Sequence, residues 1–376
     1  MRILVLVHEF PPVGGGGGRV AEDICSELAK RGHEVKVLTA HLKGLPYQEE
    51  RNGVQVIRFG SLRMEPYRAS FLSMAIYVLA GLLVGRRLMN SFKPDVIHAH
   101  FAVPAGALAW MLSRMTGIPY VLTVHLGDVP GGVPEKTDEW FRWIYPFTPN
   151  IWKNAREIVA VSEFTRQLAM KKYKEKIQVV PNGADLSTLR PEHMSLNDPP
   201  QIVFAGRFME QKNPLQFVQT LNELKELKWQ AVMIGDGALM QDVKCAIKDF
   251  GLEDRFQLTG WIDPQDVLKW FDTSDILFMP SRSEGLPVVG VQALAKGLAI
   301  IASRVGGFVD LVDEDQNGYL IQETDLSKFS TCLSTLLSDP NRLLLFRNAS
   351  LEKAKSFELE QIVREYENIF MRIKDA

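Results

Sequence analysis

The feature that most constrains the fold is an alternation that runs twice along the chain. Short runs of Val, Ile and Leu alternate with stretches whose apolar residues recur every three or four positions. In the first half the expected strands are "RILVLV" (2–7), "EVKVLT" (34–39), "VQVIRF" (54–59), "DVIHAH" (95–100), "YVLTVH" (120–125), "EIVAVS" (157–162) and "IQVVP" (177–181). Pro, Asn and Asp gather around residues 189–198, and the rhythm breaks there. It restarts with "QIVFAG" (201–206), "WQAVMIG" (229–235), "RFQLTG" (255–260), "DILFMP" (275–280), "LAIIAS" (298–303) and "GYLI" (318–321). Continuously apolar strands separated by helices imply parallel sheets covered on both faces. A chain of 376 residues also exceeds what one core usually serves. The expectation is therefore an α/β protein of two doubly wound, Rossmann-like parallel-sheet domains facing across a cleft. The first spans 1–188 and the second 199–355, with a linker at about 189–198. In such sheets ligands bind beyond the carboxyl ends of the strands.

Charge and cysteine usage narrow the class. A formal net charge of -2 argues against a general nucleic-acid binder. The charge is uneven: residues 1–185 hold 23 Lys and Arg against 17 Asp and Glu, a net of +6, and the remainder holds 20 against 28, a net of -8. A basic front half fits an anionic substrate or a membrane surface, and equally a chance spread of solvated side chains. Cys25, Cys245 and Cys332 are odd in number and lack CxxC spacing, which fits reduced thiols in a cytoplasmic protein and no zinc site. Met1–Val7 is too short for a signal-peptide core. "FLSMAIYVLAGLLVG" (71–85), flanked by Arg63, Arg68, Arg86 and Arg87, is too short to span a bilayer comfortably. A buried helix is expected there; the alternative is an amphipathic helix holding the protein peripherally at the inner membrane face.

Between the first strand and its helix stand Gly14, Gly15, Gly16, Gly17 and Gly18. Strand and helix flank them too closely for a tether. Gly16, Gly18 and Ala21 satisfy the G-x-G-x-x-A dinucleotide pattern, but the match begins too far beyond the strand. The second strand also ends in "VLTAH", without the acidic residue a ribose would need. What remains is a loop feeding a helix N-terminus, whose bare amides favour a phosphate or a sugar pressed close.

"AGRFMEQKN" (205–213), "IGDG" (234–237), "GWID" (260–263), "SRSEGLPVVGVQALAKGLAI" (281–300) and "VGG" (305–307) follow in the second half, after "TVHLGD" (123–128), "VSE" (161–163) and "VPNGAD" (180–185) in the first. In their order and spacing these strings resemble the retaining nucleotide-sugar glycosyltransferases of family 4. The resemblance covers nearly the whole chain and implies the GT-B architecture. It makes the first domain the acceptor side and the second the donor side, with a C-terminal helix at about 356–376 crossing back onto the first. It implies transfer of a sugar from a nucleotide diphosphate, UDP above all, to the hydroxyl of a glycan, lipid-linked or small-molecule acceptor, in glycolipid or polysaccharide synthesis.

The resemblance also assigns residues. Arg207 and Lys212 hold the donor diphosphate, where two fixed cations stabilise the charge of the leaving group. Glu284 faces the donor sugar. Gln292 stands where the family has a second Glu for the ribose hydroxyls, and an amide there still accepts a hydrogen bond but forfeits the charge-assisted one. Gly285, Leu286, Pro287, Val288 and Val289 lead into a helix whose first amides meet sugar and diphosphate. The backbone of Ile262 receives the base. Gly235 walls that pocket, or else only makes a turn. His125 approaches the donor sugar or the transfer centre, the alternative being a buried structural histidine, and Asp128 is an acceptor-side or sugar contact. Ser162 and Asn182 sit at strand ends, where they line the site or cap turns. Neither metal nor cofactor is expected, the nucleotide sugar being a co-substrate. The D-x-D string Asp313-Glu314-Asp315 beside Asn317-Gly318 reads as a solvated turn. His98 and His100 point the same way along a strand but have no third ligand nearby, so hydrogen-bonded strand-end histidines are expected. Between 129 and 155, Trp140, Phe141, Trp143, Tyr145, Phe147 and Trp152 form either an acceptor lid, a membrane-facing patch or core packing. Two rivals stand beside transfer: isomerisation or hydrolysis of the nucleotide sugar on the same fold, and a binding protein whose activity lapsed with Gln292.

Overall fold

A computed structural model describes residues 1–66, 69–133, 141–191, 194–322 and 324–374. The chain divides into two compact units, Met1–Gly183 with Leu359–Ala376, and Ala184–Glu358. The break after Gly183 falls a few residues before the expected boundary at 188. Residues 194–198, within the expected linker, are fastened to the second unit instead. The buried Asp275 carboxylate accepts from Gln201 N and Asn197 Nδ2, both at 2.8 Å, and pairs with Arg347, which also donates to Ser195 O.

The first unit is an eight-stranded sheet in the order β3-β4-β2-β1-β5-β6-β7-β8. Its strands are β1 (Arg2–Leu6), β2 (Glu34–Leu42), β3 (Gln48–Arg51), β4 (Val54–Arg63), β5 (Val96–His100), β6 (Tyr120–Val124), β7 (Glu157–Ala160) and β8 (Ile177–Val179). Every expected strand is present and pairs in parallel. β3 is the exception: it runs antiparallel to β4 at the edge, and its sequence, Gln-Glu-Glu-Arg, has no apolar run to betray it. Helix α1 (Gly16–Lys30) buries Val20, Ile24 and Leu28 at i, i+4 and i+8. Helix α2 (Phe71–Phe92) is seven residues longer than the apolar run that announced it, and helix α3 (Ala107–Thr116) packs beside it.

The second unit is a six-stranded parallel sheet in the order β11-β10-β9-β12-β13-β14. These are β9 (Gln201–Ala205), β10 (Gln230–Ile234), β11 (Phe256–Gly260), β12 (Ile276–Met279), β13 (Ala299–Ser303) and β14 (Gly318–Ile321), as the apolar runs announced. Helix α4 (Val288–Ala295) follows β12. The last helix, α5 (Leu359–Lys374), belongs to the first unit. It buries Ile362, Val363, Tyr366, Ile369, Phe370 and Ile373 along one face and packs on α1 and β5. Each such side chain removed from water is worth about 1.5–3 kcal/mol before entropy is counted. Its polar face is held by Glu367, which pairs with Arg31 at 2.6 Å and His33 at 2.7 Å. Its expected last residues, Asp375 and Ala376, lie outside the described residues.

Candidate active site

In the second unit the sequence-predicted residues collect at the carboxyl ends of adjacent strands. Gly206 and Arg207 follow β9, Gly235 follows β10, Ile262 follows β11, and Ser281 to Pro287 connect β12 to α4. The loops are bonded to each other: Gly206 N donates to Ile234 O at 2.9 Å and Gly235 N to Gly260 O at 3.0 Å. Gly235 thus joins the β10 and β11 loops, which gives it a structural task whatever it walls. Arg282 N donates to Gln211 O at 2.8 Å, and Gln211 Nε2 donates to Ser283 O at 3.0 Å. Two loops seventy residues apart in sequence are one surface.

On that surface Lys212 Nζ donates to Glu284 Oε1 at 2.6 Å. The same oxygen accepts from Ser281 Oγ at 2.7 Å. Glu284 is only 4% exposed, so the pair sits in a poorly screened setting. The Lys212 ammonium is committed to the carboxylate, since a buried Glu with no cation would be costly. The lysine stem lies over Gly206, at 3.5 Å from where a Cβ would stand. Arg207 is half-buried and, among the described residues, its guanidinium makes no hydrogen bond or ion pair. One cation is thus spent on the carboxylate and one is free. Ser281 escaped the sequence reading, although its S-x-x-E spacing to Glu284 was a usable signal.

Helix α4 starts at Val288 with Pro287 as its cap residue and no side-chain cap. Gly290 N and Val291 N bond back to Pro287 O, while the amides of Val288 and Val289 open the helix. Val288, Val289 and Gln292 are its three partly exposed residues, and helical spacing sets them on one side. Gly285 and Leu286 are held by "VGG": Gly307 N donates to Gly285 O at 2.5 Å. Gly306 has φ +55, and a Cβ there would run into the Glu284 carbonyl oxygen. Gly306 and Gly307 thus fix the backbone at Glu284 and Gly285. Ile262 is half-buried beside the exposed Trp261.

In the first unit His8, His100 and His125 follow or end the adjacent strands β1, β5 and β6. Phe101, between them, stacks on His125 with centroids 4.3 Å apart. Burial pulls the His125 imidazole down to about 4, so it is neutral at pH 7, and its Nε2 has no partner among the described residues. Asp128 differs from expectation. Its Oδ1 accepts from Ala102 N and its Oδ2 from His125 N, both at 2.8 Å. It is buried and turned inward, a brace for the β5 and β6 loops rather than a contact for an acceptor. Burial raises its pKa to about 7 against the pull of those amides.

The glycine loop also does more for the fold than the bare-amide reading allowed. Gly14 N donates to Pro66 O at 2.7 Å, and Gly15 N donates to Glu9 Oε2 at 3.3 Å. Glu9 is paired in turn with Arg63. A Cβ at Gly17 would strike Phe101, and one at Gly18 would strike Glu9 O. Gly16, Gly17 and Gly18 open α1, where amides have no intrahelical acceptor. Two of the five amides are therefore spoken for.

The remaining candidates resolve into structure. His98 Nε2 lies 2.8 Å from Thr123 Oγ1, which lies 3.2 Å from Tyr366 OH on α5. His100, wholly buried, has neither ring nitrogen bonded among the described residues, contrary to the expectation for both. No group of three metal-binding side chains occurs among the described residues. Asp313 pairs with Lys353, Glu314 with Arg304 and Asp315 with Arg342, so each acid of the D-x-D string has its own cation. Ser162 Oγ caps a helix by accepting from Thr165 N at 3.1 Å, and Asn182 is buried. Trp152 is core, stacked on Tyr173 at 3.9 Å, whereas Trp143 and Phe147 are exposed. Arg68 and Trp140 lie outside the described residues.

Comparison with known proteins agrees with this arrangement. Residues 14–188 match the family model Glycosyltransferase Family 4, and residues 187–353 match Glycosyl transferases group 1. The UDP-Gal:alpha-D-GlcNAc-diphosphoundecaprenol alpha-1,3-galactosyltransferase of Escherichia coli is 26% identical over 76% of this chain and 77% of its own. The solved sucrose-phosphate synthase of Thermosynechococcus elongatus superimposes with a TM-score of 0.86 at 21% identity, covering 99% of this chain and 98% of the other. Anabaena HepE in complex with UDP-glucose gives a TM-score of 0.76 at 18% identity, covering 99% and 100%. The two family models together leave out only the first 13 and last 23 residues. This chain belongs to the family 4 type of glycosyltransferases and has the GT-B fold.

Proposed function

We propose that this glycosyltransferase moves a sugar from a UDP-sugar to an acceptor hydroxyl with retention at the anomeric carbon and without a metal, in glycolipid or polysaccharide synthesis. The observation that carries the reading is Arg207, whose guanidinium makes no hydrogen bond or ion pair among the described residues, at the carboxyl end of β9 and next to Gly206, over which the Lys212 stem lies. A leaving nucleoside diphosphate gains negative charge as its bond to the sugar breaks, and a fixed guanidinium stabilises that charge without reorganising. The amides of Val288 and Val289 add a helix N-terminus. Lys212, bonded to Glu284 before ligand binds, can share its ammonium with the diphosphate while Glu284 takes a sugar hydroxyl. In the transfer the bond from anomeric carbon to phosphate oxygen breaks as the bond to the acceptor oxygen forms on the same face. The acceptor proton passes to the departing phosphate oxygen.

The donor reading draws support from the UDP-glucose complex of HepE and from the name of the Escherichia coli relative, which also names a lipid-linked diphosphate acceptor. The test is calorimetry with UDP-sugars with and without EDTA, followed by NMR of the product. Binding untouched by EDTA, an axial donor giving an axial product, and affinity lowered about tenfold or more by Arg207→Ala are expected. An inverted product, EDTA-sensitive binding or an indifferent Arg207→Ala would each remove the corresponding part. Release of free sugar with every acceptor tried would favour hydrolysis, and tight binding without turnover would favour a lapsed enzyme.

A further inference from the structure

Helix α2 has two apolar sides and only one of them is covered. Tyr77, Gly81, Gly85 and Met89 form a narrow buried stripe. Gly81 lies against Leu108 and Phe59, and Gly85 against Leu112, so closely that a Cβ at either would collide. Tyr77 OH donates to Leu38 O at 3.1 Å, which ties the helix to β2. On the other side Phe71, Leu72, Leu79 and Leu83 are exposed, the last two by 65% and 69%. A surface helix ordinarily carries its charge there. This one has no charged residue from Phe71 to Gly85, and no acidic residue anywhere along its length. Its first charges, Arg86 and Arg87, are both exposed, and Lys93 caps its end.

We infer that this face of α2 is a membrane-docking surface that lies in the interfacial region of a bilayer rich in anionic lipid. Two observations select that occupant. The apolar stripe is four turns long and flat along the helix, which suits shallow insertion parallel to the surface. The adjoining cations need anions, and a second copy of the same helix would bring Arg86 and Arg87 no carboxylate. Length and composition alone would permit α2 to cross a membrane. Its glycine packing on α3 and its bond to β2 hold it on the first unit instead, so it lies on the bilayer and does not span it. The expectation of a buried helix is corrected: one stripe is buried and the opposite face is not.

The experiment is sedimentation of the full-length chain with vesicles of phosphatidylcholine alone and of phosphatidylcholine mixed with phosphatidylglycerol. Binding to the mixed vesicles, weakened by added salt, is expected. Leu79→Glu with Leu83→Glu should reduce it to background. Arg86→Ala with Arg87→Ala should lower partitioning by about 30-fold. Because all four side chains are exposed, the thermal midpoint of each variant should match the parent, which separates lost docking from lost folding. Failure to sediment with either vesicle, or binding unchanged by the Leu79 and Leu83 substitutions, would overturn the inference. A dimer in analytical ultracentrifugation that Leu79→Glu dissociates, without vesicle binding, would assign the face to a second copy instead. None of these readouts uses catalysis, so the donor reading can fail while this one stands.

Discussion

At the scale of single residues, the chemistry turns on how Glu284 is held. One oxygen takes both a cation and a hydroxyl, Lys212 at 2.6 Å and Ser281 at 2.7 Å, which positions the carboxylate. Glu284→Ala should abolish transfer while leaving UDP affinity within a few-fold, because the released Lys212 can still meet phosphate. Ser281→Ala removes only the positioning bond. A loss of about 1 kcal/mol in the transition state, about fivefold in kcat, is expected, with the UDP affinity unchanged. Steady-state kinetics beside calorimetry distinguishes the two roles. A Ser281→Ala enzyme with weakened UDP binding and normal kcat would mean that the hydroxyl serves the nucleotide instead. These bonds explain why the site was only half legible in the sequence. Motifs single out Arg207, Lys212 and Glu284, but no motif says that two of them bond to each other across 72 positions. Asp128 misled for the opposite reason: an acid at a strand end looks available, and only the fold reveals that backbone amides have claimed both oxygens.

At the scale of elements, apolar periodicity located all thirteen expected strands and failed where the physics behind it is absent. β3 is an edge strand of polar residues held by backbone bonds to β4, so nothing in its side chains announces it. α2 extends past Gly85 because Leu88, Met89 and Phe92 continue its contact with the unit after two exposed arginines have interrupted the apolar run. Loops obey a further rule visible only in three dimensions. Gly306 combines a left-handed φ of +55 with a close approach to Glu284 O. Gly306→Ala should destabilise the second unit by about 1–3 kcal/mol and reduce kcat by more than stability accounts for, since Glu284 must shift. Urea unfolding and turnover of the same sample test this. A variant as stable as the parent, with normal turnover, would mean the loop relaxes freely.

At the scale of the molecule, stability should depend on pH through the first unit. Burial pulls His98 down to about 3 and drives His100 well below its ordinary value, so both are neutral in the folded state and take up protons only on unfolding. Their contribution is intact above the unfolded value near 6.5 and is lost as pH falls below it. Asp128, raised to about 7 by burial, acts in the opposite sense: its folded form holds a proton that the unfolded chain gives up. His125, held down to about 4 in the same way, adds to the imidazole side, so between about pH 6 and pH 5 the unfolded chain binds between one and two protons more and stability should drop by roughly 2–2.5 kcal/mol per pH unit. Calorimetric melting across that interval checks it. A flat midpoint, or one that rises on acidification, would show that the carboxyl and not the imidazoles governs this region.

The return of α5 to the first unit carries a consequence for biosynthesis. Tyr366 reaches the hydroxyl of Thr123 beside His98, and Phe370 packs on the His98 ring at 5.0–5.3 Å together with Tyr366. As the ribosome delivers the chain, residues 1–183 emerge first, yet their core stays unroofed until the final sixteen helical residues have cleared the exit tunnel. The unit made first is the one finished last, so a premature stop anywhere in the second unit also leaves the first without its closing piece.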